Sequence, residues 1–135
     1  MQITASLNNL RISPRKVRLV AGLLKNRSVN DARQQLLFLS KQATQPIKKL
    51  LDSAVANAKH NYKISVDELK LKQILVNEGY TLKRWLPRAH GRATQLKKRS
   101  SRVTLVLVSS SPVKVKSNPG STKPPIKSLT TKKTK

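Results

Sequence analysis

Cysteine is absent from the chain. Disulfides and thiolate metal sites are therefore excluded, and the absence fits a cytosolic protein. Acidic residues are nearly as scarce, at five against 29 Lys and Arg, for a formal net charge of +24. Glycine occurs four times, never in the GxxxxGK spacing of a phosphate-binding loop. The only aromatics are Phe38, Tyr62, Tyr80 and Trp85. The longest apolar stretch, Val103 to Val108, is interrupted by Thr104 and falls far short of the roughly 20 residues a membrane-spanning helix needs. Nor does any segment join an amphipathic pattern to the bulky apolar anchors of a membrane-surface helix, so no membrane partner is expected. Met1 to Leu10 lacks the charged start and apolar middle of a signal peptide. His60 and His90 are the only histidines, and no further ligands are spaced to complete a metal site with either. Asp67 and Glu68 are adjacent carboxylates, but neighbours on a strand point to opposite faces, and no His or Lys is placed to make them an acid/base pair. The sequence thus predicts no catalytic residues, no metal, no cofactor and no enzyme activity.

What is abundant is positive charge. Like charges repel within a compact state, so an excess this large implies a polyanion that neutralises it in place. Nucleic acid is the usual one, because each Lys or Arg meeting a phosphate releases a condensed counterion. The charge is unevenly placed. Asp31, Asp52, Asp67, Glu68 and Glu78 all lie in the first 78 residues, and no acid follows from Gly79 to Lys135. The 135 residues suit one small domain with some tail left over. The pattern therefore predicts a domain over 1–109 that includes a basic extension at about 80–102, followed by a tail over 110–135. The tail is rich in Ser, Pro and Lys and is expected to be disordered when free.

Within the body, Ile3, Ala5 and Leu7 alternate as in a half-buried strand over 2–9. Ser13-Pro14 marks a helix start, since serine can cap and proline at the first helical position loses no needed hydrogen bond. Val17, Val20, Ala21 and Leu24 then make one apolar face, with Arg15, Arg18 and Lys25 on another and Lys16 to one side. Ser28 with Asp31 resembles a capping box with a shorter acid and opens a second helix, with Val29, Ala32, Leu36 and Leu39 inward. A third helix runs to about His60 on Ile47, Leu50, Leu51, Ala54 and Ala58. Pro46 leaves two starts open, a helix capped by Ser40 and bent at Pro46 or a shorter one capped by Thr44. The alanines at 54, 56 and 58 suggest close packing. From Glu68 to about Arg84 the pattern is strand-like, and a change of apolar side after Leu71 suggests a bulge near Gln73. Val103 to Val108 forms a second strand, and these two are expected to pair with each other.

Pro87 and Gly91 mark the turn between them. The resulting hairpin has arms of roughly eleven residues, about 35 Å at ~3.3 Å per residue, with few apolar residues to bury. A bare two-stranded hairpin is marginal in water, so its order must come from what surrounds it. Lys83, Arg84, Arg88, Arg92, Lys97, Lys98, Arg99 and Arg102 place eight cations and no acid in twenty residues. Arginine can bridge two phosphate oxygens or stack on a base, and lysine supplies a point charge. Trp85 either stacks on a base or packs at the hairpin root. Structured RNA is the expected partner. A free protein that coats and compacts nucleic acid without sequence preference is the alternative.

Four segments sharpen this reading. They are Arg11-Ile12-Ser13-Pro14-Arg15-Lys16-Val17-Arg18-Leu19-Val20, Ser53-Ala54-Val55-Ala56-Asn57-Ala58-Lys59-His60-Asn61, Glu78-Gly79, and Leu82-Lys83-Arg84 leading to Pro87-Arg88-Ala89-His90-Gly91-Arg92-Ala93. In this order the chain resembles the bacterial-type ribosomal protein L-twenty-two family over roughly residues 2–109. The resemblance implies an α+β fold of three helices on a small antiparallel sheet with a long protruding β-hairpin. It implies a structural constituent of the large ribosomal subunit, cytoplasmic within the ribosome, whose body lies on large-subunit ribosomal RNA. The hairpin would reach the wall of the nascent-peptide exit tunnel, meet ribosomal protein L-four there, and present its tip to the passing nascent polypeptide. Carried over, Arg15, Lys16 and Arg18 fall on the family's RNA-facing first helix. Lys83, Arg84, Arg88, Arg92, Lys97, Lys98 and Arg99 fall on its hairpin, with Pro87, Arg88, Ala89, His90, Gly91 and Arg92 at the tip. Arg102 is expected to join the RNA-binding set, although it stands where the family commonly has histidine. His90 stands where the family often has Lys or Arg, and Trp85 replaces a more usual aliphatic or smaller aromatic residue. The 110–135 tail has no counterpart in the resemblance.

Overall fold

The computed structural model describes residues 1–109; the predicted basic tail lies outside the described residues. Three helices, α1 (Pro14–Leu24), α2 (Val29–Phe38) and α3 (Thr44–Tyr62), cover one face of a three-stranded antiparallel sheet. The sheet consists of β1 (Gln2–Leu10), β2 (Leu69–Glu78) and β5 (Ser101–Ser109), in the order β1-β5-β2. A separate two-stranded ribbon, β3 (Leu82–Pro87) and β4 (Ala93–Lys98), extends the β2–β5 pair. The fold is the α+β arrangement the sequence predicts.

The helix starts follow their local chemistry in part. The Ser28 hydroxyl accepts from the Asp31 backbone N–H at 3.1 Å, satisfying one of the donors a helix start leaves free. Ser13 occupies the corresponding position before Pro14 without a side-chain bond, so proline's fixed φ acts there alone. Helix α3 begins near the shorter of its two expected starts, but Thr44 does not cap it: the cap position belongs to Ala43, with no side-chain bond. Thr44 is its first residue and Ala43 precedes it, which leaves Pro46 in the first turn where no intrahelical N–H is missed. Ala54 and Ala58 are fully buried as expected, but Ala56 faces outward. A helix advances about 100° per residue, so alternate alanines cannot share one face.

The sheet's rows are set by side-chain parity. Ile3, Leu107 and Leu71 align across the three strands, as do Ala5, Leu105 and Ile74, and then Leu7, Val103 and Val76. β2 reaches all three rows because its register slips between Leu71 and Gln73, so that Lys72 is the extra residue of a bulge. Odd-numbered Leu69 and Leu71 thereby share the core face with even-numbered Ile74 and Val76. The pairing expected from sequence is corrected in one respect: β5 pairs with β1 as well as β2 and is the central strand. Its alternation reads as two-sided because Val103, Leu105 and Leu107 are fully buried while Thr104, Val106 and Val108 are half-buried on the other face.

The outer edge of β2 is partly covered. The Leu71 N–H donates to the Arg27 carbonyl at 2.9 Å, and Ser28 bridges to Lys70. Further along, the Arg18 guanidinium donates twice to the Val76 carbonyl, at 3.1 and 3.3 Å. These contacts occupy edge groups that would otherwise template another strand.

Candidate nucleic-acid interface

The extension is a ribbon whose strand pairing is broken at its root rather than continuous with the body sheet. Each arm of the ribbon holds six residues, about 20 Å at ~3.3 Å per residue, and the pairing is interrupted on both sides before it reaches the body sheet. Gly79 to Thr81 and Arg99 to Ser100 form that interruption. They are tied by the Gly79 N–H donating to the Ser100 carbonyl at 2.9 Å and by the Ser100 hydroxyl donating to the Tyr80 carbonyl. A side chain at position 79 has no room, because a Cβ there would lie 2.6 Å from Ser100 Oγ and 3.2 Å from its carbonyl carbon. Just beyond, the Ser101 hydroxyl is fully buried and donates to the Ile12 carbonyl at 2.7 Å, fastening the start of β5 to the entry of α1.

Strand alternation puts the ribbon's cations on both faces. Lys83 sits directly opposite Lys97, alongside the Trp85–Gln95 pair, while Lys98 opposite Leu82 and Arg84 opposite Leu96 share the other face. All of these cations are exposed. Like charges facing across a strand pair are destabilising, and the ribbon has no carboxylate of its own to relieve them. Trp85 is 66% exposed in the outer half of the ribbon. Packing at the root, one of its two expected places, is therefore ruled out by position.

At the tip the Arg88 N–H donates to the Arg92 carbonyl at 2.7 Å and closes a turn over Ala89–Gly91. His90 and Gly91 both have positive φ, at 58° and 64°. Glycine adopts this without penalty, whereas histidine is only tolerated there. Arg88, His90 and Arg92 are exposed. The turn of the ribbon lies beyond its last pair, Pro87 with Ala93.

Among the first-helix cations, Arg15 and Lys16 are exposed in the first turn of α1. Arg18 is partly committed to the Val76 carbonyl, so one edge of its fork serves the fold and the rest faces outward. Arg102 is exposed opposite Asn77 on the sheet face away from the helices. Two of the body's acids are paired within the fold. Asp52 pairs with Arg33 at 2.7 Å between α3 and α2, and Asp67 accepts from the Asn30 amide at 2.8 Å. Asp67 and Glu68 lie in a short 3-10 turn (Val66–Glu68).

The structure also brings together residues that sequence reasoning left apart. Asn9, Arg11, Tyr80, Lys98 and Arg99 line an open cleft of about 550 Å³ at the root of the ribbon. A possible signal was the only tyrosine placed beside a strand-breaking glycine, but nothing local linked it to Arg11.

The family model described as ribosomal protein L22p/L17e matches residues 5–108. The chain is 52% identical over 107 residues to a protein of Desulfitobacterium hafniense (strain Y51) named large ribosomal subunit protein uL22, covering 79% of this chain and 94% of that one. Proteins of the same name from Mesoplasma florum and from Mycoplasma capricolum subsp. capricolum are 51% and 52% identical over 107 residues, each covered to 96%.

Proposed function

The chain belongs to the ribosomal protein L22p/L17e family and is a structural protein of the large ribosomal subunit, and from that premise we propose that it binds large-subunit ribosomal RNA chiefly through its ribbon and lines the peptide exit tunnel with the ribbon's tip. The observation that carries this reading is the placement of cations on both faces of β3 and β4, with Lys83 against Lys97 and no acid between Gly79 and Lys135. A ribbon bound along one face would need cations on that face alone. Charge on both faces calls for a polyanion on both sides, as when RNA encloses the ribbon.

In this proposal Lys83, Arg84, Lys97, Lys98 and Arg99 meet phosphates along the shaft, and Arg88 and Arg92 do so at the tip. Pro87, Ala89, His90 and Gly91 complete the tip that faces the tunnel, beside ribosomal protein L-four and the passing nascent polypeptide. Arg15, Lys16, Arg102 and the free part of Arg18 hold the body on RNA. Residues 1–109 act as one unit and 110–135 adds a basic tail. The role is structural and involves no catalysis.

The test is the double variant Arg88→Ala/Arg92→Ala assembled into large subunits. The body should fold normally, and RNA protection by the ribbon should weaken. Normal incorporation with an unchanged RNA footprint would overturn the assignment of these residues.

A further inference from the structure

We propose that the cleft at the ribbon's root is a pocket for one unstacked RNA nucleotide, its base lying on the Tyr80 ring and its phosphate held by Arg11 and Arg99. The proposal rests on the RNA-binding reading above and adds a site to it. Three irregularities of the backbone create the cleft. β1 loses register with β5 between Leu7 and Leu10, where Asn9 has a φ of 59°. β2 breaks from β3 at Gly79–Thr81, and β4 breaks from β5 at Arg99–Ser100. An unbroken hairpin would leave no recess between body and ribbon.

The size of about 550 Å³ lies within the ~300–1,000 Å³ of small-ligand sites, enough for a single nucleotide and too little for a duplex. Its chemistry is that of single-stranded recognition. Tyr80 is 77% exposed, so most of its surface is open to a partner. The polar part of its backbone is already engaged by the Ser100 hydroxyl, which fixes the residue while leaving the ring free. Arg11 enters the cleft from beyond β1's end and Lys98 and Arg99 from β4's end, so cations from two elements share it with the aromatic. Asn9 adds an amide that can both donate to and accept from a base edge. An aromatic platform between cations, with one amide, suits an extruded base and its phosphate.

The experiment compares large subunits carrying the native chain, Tyr80→Ala and Tyr80→Phe, with base and backbone reactivity of the RNA probed chemically at every nucleotide. Loss of the stacking platform should raise the reactivity of one unpaired nucleotide about threefold or more in Tyr80→Ala, with Tyr80→Phe like the native chain. Arg11→Ala should raise the same nucleotide. Ultraviolet cross-linking of native subunits should join the peptide bearing Tyr80 to a nucleotide. An identical reactivity profile in Tyr80→Ala and the native chain, or a Tyr80 cross-link to protein instead of RNA, would overturn the pocket while leaving the ribbon's RNA contacts standing. If the native chain leaves no footprint on RNA anywhere, the broader reading fails together with the pocket.

Discussion

Replacing Gly79 by alanine should destabilise the protein by about 1–3 kcal/mol, because the root of the ribbon has no space for a methyl group. The added Cβ would sit 2.6 Å from Ser100 Oγ and 3.2 and 3.3 Å from the Ser100 carbonyl carbon and oxygen. The hydroxyl can rotate away, but only by giving up its bond to the Tyr80 carbonyl, at a cost of about 0.5–1.5 kcal/mol. The two backbone contacts cannot rotate away and require the strands to part by a few tenths of an ångström. Against this, alanine restricts the unfolded chain more than glycine, which returns about 0.4–1 kcal/mol. Gly79 is not among the residues of positive φ, so no further backbone strain enters. The strain should reach the whole body, because Ser101, next to the contact, is anchored by its buried bond to Ile12. Urea unfolding of the full chain, followed by far-ultraviolet circular dichroism, should show a midpoint lower by about 1 M for a slope near 1–3 kcal/mol per molar. The double variant Gly79→Ala/Ser100→Ala also lacks the bond to the Tyr80 carbonyl and keeps the two backbone contacts, so its midpoint should lie near that of Gly79→Ala, while Ser100→Ala alone should lose only about 0.5–1.5 kcal/mol. A midpoint at or above that of the native chain in Gly79→Ala would refute the close packing at the ribbon's root.

The remaining expectations concern the body and the ribbon separately. Ser101→Ala should cost about 1–3 kcal/mol in the same unfolding experiment, since it leaves the Ile12 carbonyl without its buried donor. Leu105→Ala, in the middle of the central strand, should cost about 2–5 kcal/mol. Asp52→Asn, by contrast, should shift stability by no more than about 1 kcal/mol, because the pair with Arg33 is roughly half exposed and screened by solvent. In RNA binding, Lys83→Ala/Lys97→Ala should reduce the slope of log affinity against log salt by roughly 1.4–1.8, two phosphate contacts' worth, while slightly stabilising the free ribbon. An unchanged slope would show that these lysines do not meet phosphates.

Much of the body was legible because its signals are local. The Ser28 cap, the apolar stripes of α1 and α3 and the parity change that marks the bulge at Lys72 all lie within a few residues of what they determine. The central position of β5 was not legible. A strand with apolar residues on both faces can pair on either side, and the match of Ile3 to Leu107 is written a hundred residues apart. The break in the hairpin was also hidden, since Gly79 and Ser100 form their close joint only once their backbones meet. Arg18 shows the same limit in the candidate site. Its helical face predicts an exposed cation, yet its bonds to the Val76 carbonyl depend on where the bulged β2 edge comes to lie. The ribbon's cations were readable one by one, while their division between two faces, with Lys83 opposite Lys97, required the register.

That division of charge is the basis for the claim that RNA surrounds the ribbon, and a density map of the native large subunit containing this chain tests it most directly. The account predicts RNA density against both faces of Leu82–Lys98, with phosphates beside Lys83, Lys97, Lys98 and Arg84 and the Arg88–Arg92 turn at the tunnel wall. A ribbon projecting into solvent, or lying on RNA along one face with the other face bare, would contradict it.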